Sequence, residues 1–308
     1  MKPFGSRAGR ITALTARMLS GLFFVVSAIA KLLDIDNFEI YLFSYQVLSL
    51  GMSQVVARVL IVLELLVGVG LIANVWNRFV DCCAVLMIAA FSLFLCYAIW
   101  QGRHDSCRCM GSLLQINPTL SLLKNACLLL VLLLAMKSTP WQWSPRWYLW
   151  VPAIVLPWVA VFCISAPDSW LFGPAEEQFN DKLLERHVKD EGMLAPLQLD
   201  EGRHVVVFLT PGCPFCRMTD EKLRYICGRD ELDSNAIVYI VPGGDTLQTL
   251  GIDSISYPRM AYQLNLDTFM HITYGNRPIV MLVDDGKVKA SCHYRNIDER
   301  QIGSFLKP

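Results

Sequence analysis

Two cysteines three residues apart, Cys213 and Cys216, stand in the run Pro211-Gly212-Cys213-Pro214-Phe215-Cys216. An apolar stretch, Val205 to Leu209, leads straight into them, and a helical stretch to about Cys227 follows. A Cys-x-x-Cys pair at a strand-to-helix junction suits disulfide exchange. The unbonded N–H groups and the dipole of the helix start stabilise a thiolate on the first sulfur, while the second lies one turn along within disulfide reach. Cys213 is therefore expected to attack and Cys216 to resolve. The competing reading is a zinc-binding or purely structural pair. No second Cys-x-x-Cys accompanies it to complete a four-ligand set, which counts against zinc.

A second pair lies in His104-Asp105-Ser106-Cys107-Arg108-Cys109-Met110-Gly111. Cys-x-Cys closes only a small, strained ring, so a Cys107–Cys109 disulfide would be comparatively easy to reduce and fits exchange better than stapling. Arg108, and His104 when protonated, would favour the thiolate. Two other readings stay open: a fixed bridge or two free thiols, and a metal site from His104, Cys107 and Cys109 that lacks a fourth ligand.

The segments that must position these pairs differ sharply in composition. The chain has 308 residues, 54% of them hydrophobic, and the long apolar runs fall before about residue 166. Five stretches approach the roughly 20 apolar residues needed to cross a bilayer: 11–33, 53–76, 79–100, 118–136 and 147–166. Pro152 and Pro157 in the last are tolerated in lipid. Lys2, Arg7, Arg10, Arg78, Lys137 and Arg146 all fall on one side of a five-span arrangement, so the N-terminus is expected in the cytoplasm. The 101–117 loop and the C-terminal region then share the outer side. Ala28-Ile29-Ala30 resembles a signal-peptidase site, but Arg17 interrupts the apolar run such a signal needs.

Inside the spans, Lys31 and Arg58 read as residues that snorkel to the interface, and Glu64 as a partner of Arg17 or Lys124. Glu64 could alternatively serve proton or quinone chemistry. Of the eleven cysteines, Cys82, Cys83, Cys127 and Cys163 read as core filling. Cys96 is the exception, at a depth within expected reach of Cys107 or Cys109. The 27 basic and 27 acidic residues balance, so no nucleic-acid footprint is expected.

After Gly173-Pro174 the chain reads as a soluble domain. An amphipathic helix is expected over 176–190, strands over 204–210, 236–241, 278–283 and 287–290 with a hairpin at Asp284-Asp285-Gly286, and a final helix over 298–306. Cys227 and Cys292 read as packing residues or one stabilising pair.

This β-α-β, then β-β-α layout resembles the thioredoxin fold over about residues 200–308. That resemblance implies that Pro278 is a cis-proline facing the cysteine pair and binding substrate backbone. The chain lacks a tryptophan before Cys213 and so is more similar to the periplasmic thioredoxin-like branch. Residues 11–136 resemble the DoxX/MauE group of four-helix membrane proteins, through Lys31, Glu64 with Gly68 and Gly70, the Cys107–Gly111 segment and Lys124-Asn125. The likeness implies periplasmic disulfide handling in a bacterial inner membrane, in an arrangement similar to vitamin K epoxide reductase.

The expected architecture is thus an all-α bundle of five spans (1–140, with a fifth helix and linker over 141–173) followed by an α/β thioredoxin-like domain (174–308). The expected function is a thiol-disulfide oxidoreductase passing electrons between Cys213/Cys216 and Cys107/Cys109, oxidative by that resemblance. Its partners would be the lipid bilayer and periplasmic thiol or disulfide clients. No metal or firmly implied cofactor is expected, and a membrane quinone is the candidate electron sink. The alternatives are a thioredoxin-like reductase, or a thiol assembly factor, for which the helices are only an anchor.

Overall fold

A computed structural model describes residues 7–102, 117–136, 147–171, 179–189, 194, 197–210, 212–243 and 260–307. The chain divides into two compact units: Met1–Leu42 with Ser53–Ala166, and Phe43–Met52 with Pro167–Pro308.

The first unit is helical: α1 (Arg7–Leu33), α2 (Ile35–Phe43), α3 (Leu50–Ile72), α4 (Asn77–Trp100), α5 (Pro118–Met136) and α6 (Trp147–Ile164). Four of these, α1, α3, α4 and α5, are long and apolar enough to cross a membrane. In α6 the stretch Val151–Ile164 falls in a shorter apolar class. Pro118 takes the first turn of α5, where its missing N–H would be unbonded anyway. Glycines let α1 and α3 approach closely: a Cβ on Gly21 would lie 2.6 Å from the Gly68 carbonyl oxygen, and one on Gly68 2.9 Å from that of Gly21.

Charged side chains inside this unit are paired rather than snorkelled. Lys31, 2% exposed, donates to Glu64 Oε1 at 2.6 Å and Ser27 Oγ at 2.8 Å, and lies over the rings of Phe38 and Phe91. Arg17 pairs with Asp81 and donates to Asn77 Oδ1 at 3.1 Å. Arg58, 1% exposed, pairs with Glu39 and donates to the carbonyls of Gln54, Ser165 and Ala166.

The snorkelling expectation for Lys31 and Arg58 is therefore overturned. The physical cause is α2: the acidic segment after the first span folds as a helix and brings Phe38 and Glu39 over these cations. Glu64 is paired within the bundle as expected, but its hydrogen-bonded partner is Lys31. Cys82, Cys127 and Cys163 are exposed, as is Cys96, so core filling does not hold for the first three, whereas half-buried Cys83 packs against the core of Phe24, Leu71 and Leu132 as expected. In a spanning bundle an outward cysteine meets lipid, where a small apolar side chain costs little.

The second unit holds a mixed five-stranded sheet of order β3-β2-β1-β4-β5. Its strands are β1 (Arg203–Phe208), β2 (Ile237–Pro242), β3 (Met260–Leu264), β4 (Ile279–Asp284) and β5 (Lys287–His293). β1, β2 and β3 run parallel, whereas β4 is antiparallel to both β1 and β5. β1 is central and its residues Val205 to Phe208 are fully buried, which is why its apolar run is continuous rather than alternating.

Its odd residues join one core. Val205 and Val207 pack with Tyr239, Val280, and Leu223 and Ile226 of α9 (Pro214–Asp230), and with Ile302 of α11 (Glu299–Leu306). Val206 and Phe208 join the opposite core, with Leu184 and Val188 of α8 (Asp181–Lys189) and Phe269 and Ile272 of α10 (Leu266–Thr273). Helices thus cover both faces. The four-residue α7 (Asp168–Leu171) opens the unit's main segment. β3 and α10 lie between the strands expected over 236–241 and 278–283, in a stretch to which the sequence alone assigns no element.

Breaking a buried ion pair strands a charge, while replacing both partners with apolar groups does not. Lys31→Met is expected to cost about 3–5 kcal/mol of stability, read as thermal unfolding in detergent. The double variant Lys31→Met/Glu64→Leu should recover most of that loss. A double variant as unstable as the single one would contradict the pairing.

Candidate functional site

The site is built where β1 gives way to α9. Leu209 N–H still bonds the Ile240 carbonyl at 3.0 Å, keeping the chain on the sheet. Gly212, at φ +70°, then makes the turn that residues with a Cβ resist. Cys213 follows in extended conformation as the N-cap of α9, and Pro214 takes the first helical position.

Here the capping group is sulfur: Cys216 N–H donates to Cys213 Sγ at 3.3 Å. An N–H aimed at that atom favours charge on it, as does the helix start. Cys213 is half-buried, whereas Cys216 is 2% exposed and packs in the core beside Leu209 and Leu223. Cys216 Sγ lies 3.5 Å from the Thr210 amide nitrogen and 3.9 Å from Thr210 Oγ1. Burial pushes the Cys216 thiol up to about 12, and its hydrogen bond to Cys213 adds to this, while the Thr210 contacts pull the other way. The pair is asymmetric, with the Cys213 sulfur half-buried at the helix start and the Cys216 sulfur enclosed in the core.

Strand register brings further residues to this edge. Phe208 pairs with Ile279, and Ile279 with His293, so Pro278 and Tyr294 stand one step beyond, at the end of the sheet that leads to Cys213. The Arg277–Pro278 peptide bond is cis. The Phe215 ring, from within the Cys-x-x-Cys, lies 4.9 Å from that of Tyr294, whose carbonyl accepts from Lys222 Nζ at 3.1 Å. The His293 ring is 4.4 Å from Tyr294, and burial, with Arg295 nearby, lowers its basicity. Arg295 donates to Asp168 at 3.3 Å.

Of the predicted site residues, Cys213, Cys216 and Pro278 share this edge. Cys107 and Cys109 lie outside the described residues, and with them the expected approach of Cys96. Cys227 and Cys292 are buried in one core and are not joined by a disulfide; Cys292 Sγ donates to Gln301 Oε1 at 3.4 Å. Burial, with Asp230 adding, pushes Cys227 up to about 12. Sequence reasoning missed Thr210 and Tyr294. Thr210 carries a local signal, since it ends the apolar run three residues before Cys213. Tyr294 carries none until the β4–β5 register is known.

Residues 9–138 match the model of a family described as methylamine utilisation protein MauE. With the four apolar helices, that match makes this a multi-pass membrane protein with a MauE-like membrane domain followed by a mixed-sheet domain. A protein of Flavobacterium psychrophilum described as Protein TlpB is 32% identical over 119 residues, covering 36% of this chain and 32% of that protein. The chain therefore matches about a third of that relative's length. No solved structure matches the chain.

Asymmetric burial predicts asymmetric reactivity. In the reduced chain at pH 8, iodoacetamide should modify Cys213 at least about a hundredfold faster than Cys216, Cys227 or Cys292. Thiolate forms as pH rises through a thiol's own range, so Cys216 labelling should climb only toward about pH 12. Peptide mass spectrometry reads the order, and equal rates at Cys213 and Cys216 at pH 8 would contradict it.

Proposed function

We propose that the protein is a membrane-bound thiol-disulfide oxidoreductase. Its C-terminal unit (174–308) is read as a thioredoxin-like domain, with Cys213 as nucleophile, Cys216 as resolving thiol and Pro278 as a substrate-facing residue. The observation that carries this reading is the capping bond: the Cys213 sulfur accepts the Cys216 N–H at the start of α9, directly after a buried central strand. The sheet order and the helices on both faces are consistent with that fold.

In the reaction proposed, Cys213 thiolate attacks a client disulfide, and the client's leaving sulfur departs as thiolate. Cys216 then attacks the mixed disulfide, so Cys213 and Cys216 become oxidised as the client is reduced. Run in reverse, the same two steps insert a disulfide into a client dithiol. The second pair, Cys107/Cys109, is proposed to exchange with Cys213/Cys216 and so restore it. The oxidative direction is favoured on the likeness to vitamin K epoxide reductase joined to a thioredoxin domain. Exchange between two dithiol pairs needs no cofactor; a membrane quinone would be the sink for two electrons and two protons per disulfide formed. The partners proposed are periplasmic thiol or disulfide clients.

The proposed exchange requires both pairs on one side of the membrane, and geometry within the first unit supports a fifth span that delivers this. Arg58, in the first half of α3, holds both Glu39 of α2 and the carbonyls that end α6, so α6 finishes at the bundle end that carries α2. Tyr41 of α2 meets Phe94 of α4 with ring centres 5.9 Å apart, so α4 also finishes at that end. The 101–117 segment leaves from α4 and residues 167 onward leave from α6. With the positive residues on the opposite side, this end is proposed as periplasmic, with the N-terminus in the cytoplasm of a bacterial inner membrane.

Serine substitution at Cys107 and Cys109, followed by acid quenching of cells and maleimide mass-tagging, tests the circuit. The resting redox state of Cys213/Cys216 is expected to shift markedly, toward reduced if the direction is oxidative. An unchanged ratio would show the sheet domain working without the loop pair, with the helices as an anchor.

A further inference from the structure

An inner thiol 2% exposed in an apolar core is a poor nucleophile and an equally poor leaving group until something receives its charge. Among the described residues, the polar groups in reach of Cys216 Sγ come from Cys213 and from one residue of the preceding turn: Thr210, itself 5% exposed, presents its amide nitrogen at 3.5 Å and its hydroxyl at 3.9 Å. Among the described residues, Cys213 is the titratable group acting on this sulfur; no carboxylate or cation does so. The usual means of activating a thiol, an adjacent base or a fixed positive charge, is therefore replaced here by two neutral groups on one residue, an amide N–H and a hydroxyl able to donate to a thiolate.

We propose that Thr210 is a positioning residue for the resolving step, its amide N–H and hydroxyl together holding Cys216 Sγ toward Cys213 and receiving the charge that develops on it. This rests on the exchange function proposed above. In that step the Cys216 proton passes to solvent and its sulfur attacks Cys213 Sγ in the mixed disulfide. The Cys213–Cys216 bond forms as the Cys213–client bond breaks, and the client sulfur leaves as a thiolate that takes a proton from water. In reverse, an attacking client thiolate expels Cys216, and Thr210 meets the same charge on a leaving group. Its role is thus independent of the direction of net electron flow.

The test uses the full-length chain in detergent with oxidised glutathione as probe. Formation of the Cys213–glutathione adduct and the later release of glutathione are timed by acid quench and mass spectrometry between pH 6 and pH 10. Thr210→Val keeps the shape and the amide but removes the hydroxyl; it should slow release about five- to tenfold at pH 7 and move the pH profile of release upward. Adduct formation should change less than twofold, which also reports an intact fold. Thr210→Ser should restore release to within about twofold of the parent, since it keeps the hydroxyl. Release from Thr210→Val at the parent rate and pH profile would overturn the proposal. So would equal slowing in Thr210→Ser, which would assign the effect to the lost methyl. If Thr210→Val does not fold, the serine variant with a shortened side chain decides alone: parent-like release and pH profile support the hydroxyl, and slowed release overturns it. A parent chain that never forms the adduct would instead sink the exchange function, and Thr210's role with it.

Discussion

The hydrogen bond from the Cys216 amide to the Cys213 sulfur organises the candidate site. It can form only if Cys213 stands just outside a helix in extended conformation while Cys216 is already inside the first turn. Three local features secure that: a glycine that turns at positive φ, a proline at the first helical position, and a strand held by pairing on both sides immediately before them. The strand matters as much as the motif. Because β1 is buried against both cores, its end has little freedom, and the turn that follows presents its sulfur from a fixed origin. A cap normally made by an oxygen is here made by a thiol sulfur, so under the proposed function holding the helix start and favouring charge on the attacking atom are one interaction.

From that bond follows the asymmetry of the pair. The helix carries the second cysteine inward, beneath its own first turn, where Leu209 and Leu223 surround it. Desolvation disfavours a charged sulfur there, and protects an oxidised pair from casual reduction by keeping one sulfur out of solvent. The same burial would stall exchange if nothing polar reached the inner atom. Thr210 does so because the chain turns back on itself between β1 and α9, bringing the last residue of the apolar run against the helix that the run leads into.

The helical unit meets a related problem in an apolar setting. Arg17, Lys31 and Arg58 are all buried, and each finds a carboxylate on another helix: Asp81, Glu64 and Glu39. Such pairs add little net stability over apolar packing but strongly disfavour arrangements in which a partner is missing. They act as register marks between helices, alongside the close Gly21–Gly68 approach and the Tyr41–Phe94 ring contact. Arg58 does most of this, since one guanidinium joins α2, α3 and the end of α6 through five donated hydrogen bonds.

What the sequence made legible follows the range of the interaction. Cys213 and Cys216 are three apart on a helix start, and the apolar run before them is contiguous, so both could be read without a fold. β1, β2, β4, β5 and the final helix were placed to within a few residues for the same reason, whereas the edge strand β3 was not. Lys31 and Arg58 were misread because their partners lie 33 and 19 residues away, and because the segment supplying Glu39 falls between two expected spans. Its helix is only nine residues long and meets the cations through Phe38 and Glu39, contacts that local propensity does not encode. Tyr294 was hidden differently: nothing near it in sequence marks it, and only the antiparallel register of β4 and β5 brings it beside Phe215. A motif can thus announce which atoms react, but the groups that govern how readily they react arrive through strand register and chain reversal, which a linear pattern encodes only weakly.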